Sequence, residues 1–127
     1  MLRLAGLWAP PIGFMAAVWF LSDSISVETP DLLSDKILHF LAYGFFAAVN
    51  LRAFHGGFRR PMLWATVAAL TLTAGFGALD EWRQSGVSFR EASWEDWVAD
   101  LAGALVAWLF LQFFPLAGER TQEGGTH

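Results

Sequence analysis

Four long apolar runs leave this chain few ways to fold. They cover Leu4 to Leu21, Ile37 to about Leu51, Met62 to Leu79 and Val98 to about Leu116. The hydrocarbon core of a bilayer is about 30 Å thick and takes roughly 20 helical residues, with a range of about 17 to 25. The second run is short until Lys36 and Arg52 are counted as flanks whose charged ends reach the interface. A soluble bundle is the alternative, but a chain of 127 residues encloses too little interior to hide four helices that are apolar on every side. Charge content agrees, at 16% against about 25% in soluble domains. The expected fold is therefore all-α: an integral membrane bundle of four transmembrane helices, a single domain over residues 1–127. Its helices should span about 4–21, 35–54, 61–84 and 94–115, with the tail 119–127 a disordered polar end. With no cysteine, disulfide and thiol chemistry are excluded.

Local signals set the boundaries. The first run is read as a retained helix rather than a signal peptide, because it holds one early cation (Arg3), the pair Pro10-Pro11, and no small-residue cleavage site. A kink or reset is expected at the prolines, which lack a backbone donor. Ser34 suits the cap of the second helix and Pro61 the first turn of the third. Gly86 suits a left-handed end to the third, and Ser93 to Asp96 resembles a capping box for the fourth. Pro115 and Gly118 should close it.

Loop charge sets orientation. Arg3, Arg52, Arg59, Arg60 and Arg120 fall on one side, and Lys36, Arg83 and Arg90 on the other, where nearly all the acids lie. Because Lys and Arg favour cytoplasmic loops, the termini and the 52–61 loop are expected in the cytoplasm and the 22–36 and 80–97 loops outside.

The acids cluster where the third and fourth runs meet. Residues three, four and seven apart share a helix face. On the fourth helix Asp96, Asp100, Gly103 and Ala107 form one stripe, acidic above and small below. Small residues let helices approach closely in lipid, so this stripe should face another helix. Asp100 lies about one turn inside the span, where an unpaired charge costs about 2.5–3.5 kcal/mol. Gly77, Asp80 or Glu81, and Gln84 share a face of the third helix; Lys36, His39, Tyr43 and Asn50 share one on the second, with Asp35 placed to orient His39. These faces should line one interfacial pocket, with Lys36 and Arg90 as counter-ions. Blander roles exist: Asp96 as a cap, Asp80 and Glu81 as a solvated end, Tyr43 and Asn50 as packing groups. Acids sit badly at a helix C-terminus, however, which favours a cationic partner. Trp8, Trp64, Trp82, Trp94 and Trp97 fall mostly near span ends, as an aromatic belt would.

At these residues the chain resembles the VanZ-like family of small bacterial membrane proteins. The family's D-K-x-x-H-x-x-x-[FY] motif matches Asp35-Lys36, His39 and Tyr43. Its D-E-x-x-Q motif, followed by Arg, Asp, Asn and Gly at fixed spacing, matches Asp80-Glu81, Gln84, Arg90, Asp96, position 100 and Gly103. A serine after the first span is met by Ser22 or Ser24. The resemblance covers roughly residues 20 to 108. Asp100 replaces the usual Asn, and Ser88-Phe89 a usual Pro-Gly turn. The resemblance implies a multi-pass membrane protein; the founding member is associated with low-level teicoplanin resistance. It supplies no mechanism.

Three functional readings follow. In the first, a non-enzymatic envelope protein binds an amphiphilic or lipid-linked ligand, such as a cell-wall precursor or a lipoglycopeptide. Its outward-facing pocket would use Lys36, His39, Tyr43, Asp80, Glu81, Gln84, Arg90, Asp96 and Asp100, and contribute to glycopeptide-type antibiotic or envelope-stress resistance. Lys36, His39, Arg83 and Arg90 would meet an anionic head group; the acids would meet a cationic one. In the second, a membrane-embedded enzyme acts on a lipid head group, with His39, Asp80, Glu81, Asp96 and Asp100 holding a divalent metal or His39 and Glu81 as an acid–base pair. No tight metal motif is present, so no metal or cofactor is assigned. In the third, the charges form only a structural ion network. The absence of an extended basic patch argues against nucleic acid. Four short helices hardly enclose a pore without oligomers.

Overall fold

The computed structural model describes residues 1–21, 32–57, 62–86 and 94–113, with backbone alone for 32–35. Four helices run in order: α1 (Leu2–Leu21), α2 (Leu32–Phe54), α3 (Leu63–Ser85) and α4 (Trp94–Phe113). Each contains a stretch of 19 to 23 residues apolar enough to cross a membrane, which at about 1.5 Å per residue matches a hydrocarbon core. The bundle is inside-out by the standards of a soluble protein. Leu4, Phe20, Leu41, Phe45, Leu63, Val67, Leu105 and Phe110 are exposed, while Asn50, Thr73, Asp80 and Asp100 are 0–3% exposed. Lipid accepts the first set and not the second.

The packing of α2 on α4 is the most extensive in the bundle, and glycine makes it possible. A Cβ on Gly103 would lie 2.1 Å from the carbonyl oxygen of Phe40, and one on Gly44 would lie 3.2 Å from the carbonyl oxygen of Gly103. The small stripe on α4 therefore faces α2. Helix α3 joins through Asn50 Nδ2, which donates to Thr73 Oγ1 at 3.0 Å in the buried midsection. Thr73 passes the bond on to the Ala69 carbonyl at 2.8 Å.

Helix α1 docks by aromatic contacts. Phe14 stacks on Phe46 at 4.5 Å and meets the edge of Tyr43 at 5.9 Å; Trp8 packs edge-on against Phe54 at 4.9 Å. Of the kink or reset expected at the prolines, the reset does not occur: α1 is one helix with Pro10 and Pro11 inside it. The reason is local. Pro10 has no N–H for the carbonyl four residues back, Gly6, and Arg52 Nη1 donates to that oxygen at 3.1 Å. A neighbouring helix thus supplies the donor that proline lacks.

Gly86 also departs from expectation. Its φ of −82° is right-handed, and its N–H continues the last turn of α3 to Arg83 and Gln84 carbonyls. The left-handed glycines are Gly56 (φ 67°) and Gly57 (φ 122°), which end α2, with Gly57 N–H bonded to the Arg52 carbonyl at 2.8 Å. The readings at Ser22, Ser24, Pro61, Ser88, Phe89, Ser93, Pro115, Gly118 and the tail, and at the side chains of Ser34 and Asp35, lie outside the described residues.

Candidate functional site

Antiparallel helices place the start of α2, the end of α3 and the start of α4 at one end of the bundle. The glycine contact between α2 and α4 sits about one turn below and fixes what meets there. His39, one residue before Phe40, comes against Asp100, three residues before Gly103. His39 Nδ1 and Asp100 Oδ1 are 2.9 Å apart; with the carboxylate ionised, the imidazole donates. A carboxylate for the imidazole is thus supplied from α4; the Asp35 side chain, expected to orient it, lies outside the described residues.

Asp100 is 1% exposed and Tyr43 3%. Both reach toward α3 at Gly77, where a Cβ would stand 3.1 Å from Asp100 Oδ2 and 3.2 Å from Tyr43 Cε1. The missing side chain makes room for both. Asp100 Oδ2 and the Tyr43 hydroxyl are buried without a hydrogen-bond partner among the described residues. Tyr43 lies parallel to the His39 ring, 6.3 Å away at 6°. Buried polar atoms normally find partners, so two orphans beside one imidazole mark this spot.

The remaining charges pair off. Asp80, 3% exposed, accepts from Arg83 Nη2 at 3.1 Å and Gln84 Nε2 at 3.0 Å. This supplies the cation that an acid at a helix C-terminus needs. Arg83 also lies over the Trp19 ring at 5.2 Å, tying α1 to this end. Lys36 Nζ is 2.8 Å from Glu95 Oε2 and 3.6 Å from Asp96 Oδ1. Glu95 is well exposed, so solvent screens that pair and it mainly fixes where the ammonium sits. Trp97, read from sequence as part of an aromatic belt, is part-buried and donates Nε1–H to the Ala74 carbonyl at 3.2 Å, pinning α4 to α3.

One donor set draws on members of these pairs. His39, Glu81 and Asp96, one from each of α2, α3 and α4, offer ligand atoms that lie within 4.8 Å of one another. Asp80 is not in that group, and Asp100 stands behind it on His39.

Of the sequence-derived site residues, Lys36, His39, Tyr43, Glu81, Asp96 and Asp100 converge. Asp80 and Gln84 form a neighbouring pair, and Arg90 lies outside the described residues. Sequence reasoning placed Gly77 on the face of Asp80 and Glu81 without giving it a role, and passed over Arg83 as partner of Asp80 and Glu95 as partner of Lys36. Gly77 precedes Asp80 by three and Glu81 by four, and that spacing is the signal for a gap beside them.

The opposite end is different. Arg3 Nη2 donates to the Gly56 carbonyl at 3.3 Å. His55, outside the sequence-derived site, is buried, with Nδ1 2.7 Å from the Leu51 carbonyl and Nε2 3.3 Å from Thr66 Oγ1. An open cavity of about 300 Å³ lined by Arg3, Leu4, Leu7, His55 and Gly56 lies there. Among the described residues this end holds cations and no carboxylate.

A protein-family model described as VanZ/LLP1 matches residues 9–115. Comparison with curated proteins and with solved structures returned no match.

Proposed function

Because the chain belongs to the VanZ/LLP1 family of membrane proteins, we propose that its polar end is a recess for the head group of an amphiphilic or lipid-linked molecule of the cell envelope. The recess faces the outer leaflet of the bacterial cytoplasmic membrane, with both termini in the cytoplasm. By occupying such molecules, the protein contributes to tolerance of glycopeptide-type antibiotics or envelope stress.

The observation that carries this reading is the convergence of His39, Tyr43, Glu81, Asp96 and Asp100 from three helices, with Asp100 Oδ2 and the Tyr43 hydroxyl buried and outside any well-formed hydrogen bond among the described residues. A head group at the interface would satisfy those atoms, while an acyl chain lay along the apolar outer faces of the bundle. The two described cations at this end are engaged, Lys36 by Glu95 and Arg83 by Asp80. Among the described residues the balance at this end is acidic, which favours a head group carrying an amine, or one reached through a bound cation. Topology is supported by the cations at the far end, Arg3 and Arg52.

The test has two arms. Protein purified with native lipids should retain a defined amphiphile that is lost in a Tyr43→Phe, Asp96→Asn double variant. Deleting the gene should raise susceptibility to lipoglycopeptides or envelope stressors. Unchanged susceptibility, together with a lipid complement indistinguishable from bulk membrane, sinks the proposal.

A further inference from the structure

The geometry points to a divalent transition-metal site, of the kind that takes Zn²⁺, formed by His39, Glu81 and Asp96 at the polar end of the bundle. It rests on the recess read above being assembled, but not on which amphiphile enters it.

The donor set is one imidazole and two carboxylates, each from a different helix, with ligand atoms mutually within 4.8 Å. Imidazole with carboxylate suits borderline first-row ions. Three protein donors with a further position left for water or substrate is the usual arrangement of a reactive zinc site. Zinc bonds of about 2.0–2.2 Å hold tetrahedral donors about 3.4 Å apart. Closing from 4.8 Å requires about 1.4 Å, within reach of side-chain rotation by Glu81 and Asp96.

A cluster of acids alone would not carry this inference. The second observation is behind the imidazole. Asp100, buried to 1% exposure, takes Nδ1 of His39 at 2.9 Å. A metal would then be met by Nε2. A carboxylate holding the far nitrogen of a metal-binding histidine fixes its tautomer and raises its basicity. Asp100's other oxygen, Oδ2, has no partner among the described residues and points at α3 beside Gly77, one turn from Glu81. Tyr43 is likewise buried, and its ring packs on the same glycine, with Cε1 3.2 Å from where a Gly77 Cβ would stand. Lys36 competes, since its ammonium is 3.6 Å from Asp96. Its shorter contact, 2.8 Å to Glu95, gives it somewhere to stay when a metal takes Asp96.

The experiment is a Zn²⁺ titration of the full chain in detergent after chelator stripping, read by zinc content per chain and by melting temperature. Wild type should bind one zinc per chain and melt higher as zinc rises. Glu81→Gln and Asp96→Asn keep shape but lose a charged ligand; each should weaken binding at least about 10-fold, and Asp100→Asn by about 10-fold. His55→Gln, at the opposite end, should bind as wild type does. Lys36→Met should tighten binding several-fold, a gain that misfolding does not imitate. Wild type that takes up no stoichiometric zinc, or variants at 81 and 96 that bind as tightly as wild type, overturns the site. So does loss of binding in His55→Gln. Zinc bound without any retained amphiphile overturns the preceding reading and leaves this one standing; an amphiphile retained with no zinc uptake does the reverse.

Discussion

Replacing Gly103 with alanine tests the fold at its tightest point. The new methyl would stand 2.1 Å from the Phe40 carbonyl oxygen, 3.0 Å from its carbon and 3.1 Å from Gly44 N, all backbone atoms. Reaching ordinary contact at 3.4 Å requires α2 and α4 to part by about 1.3 Å. No rotamer relieves this, because the obstruction is main chain on both sides. Overpacking of this kind costs about 3 kcal/mol, offset by about 1 kcal/mol from alanine's better helix propensity. The net loss, about 2 kcal/mol, corresponds to a fall in melting temperature on the order of 5–10 °C. Gly44→Ala, at 3.2 Å from a carbonyl oxygen, should fall between this variant and wild type. Gly75→Ala, with nothing within 4 Å, should be neutral or gain up to about 1 kcal/mol. Melting in one detergent, followed by tryptophan fluorescence, ranks the three. If Gly103→Ala melts with or above Gly75→Ala, the close crossing of α2 and α4 is wrong, and the juxtaposition of His39 and Asp100 falls with it.

Other perturbations separate the remaining contacts. Thr73→Val keeps volume but removes the acceptor of Asn50; it should cost about 0.6–1.7 kcal/mol in a melting experiment, and a neutral result would show the buried bond idle. Asp100→Asn preserves an acceptor oxygen for His39 Nδ1 and should melt within about 1 kcal/mol of wild type, whereas Asp100→Leu orphans the imidazole at a cost of about 1–3 kcal/mol; equal melting of the two variants contradicts the pairing. The chain has no cysteine, so single cysteines report topology cleanly. One at position 90 should react with a membrane-impermeant maleimide on whole cells and one at position 57 should not, and the opposite pattern would put the polar end in the cytoplasm.

Much of this arrangement was legible in the chain because helix periodicity and hydropathy are strong signals. Asp80 and Glu81 stop one apolar run, Asp96 and Asp100 begin the next, and an antiparallel pair must bring them to the same end. The pairing was not legible. Which acid takes Lys36 depends on the rotation of α2 about its axis, and one turn of helix offers both Asp96 and Glu95. Arg83 was available to any neighbour, but Asp80 is three residues away on its own helix, and proximity decided it. His39 took its carboxylate from Asp100 because Gly44 and Gly103 bring two backbones together, and no pattern within either helix encodes that distance. At Gly86 the turn signal was real but was used elsewhere, since a right-handed glycine continues the last turn equally well.

The oxygen that Pro10 leaves vacant on Gly6, taken up by Arg52, ties two opposing quantities together. A regular helix offers a neighbour no main-chain handle in its middle, because every interior carbonyl is already spoken for. The proline weakens α1 as an isolated segment and, by that same defect, gives it one address on α2. Pro10→Ala would therefore make α1 a better helix and a worse subunit of the bundle.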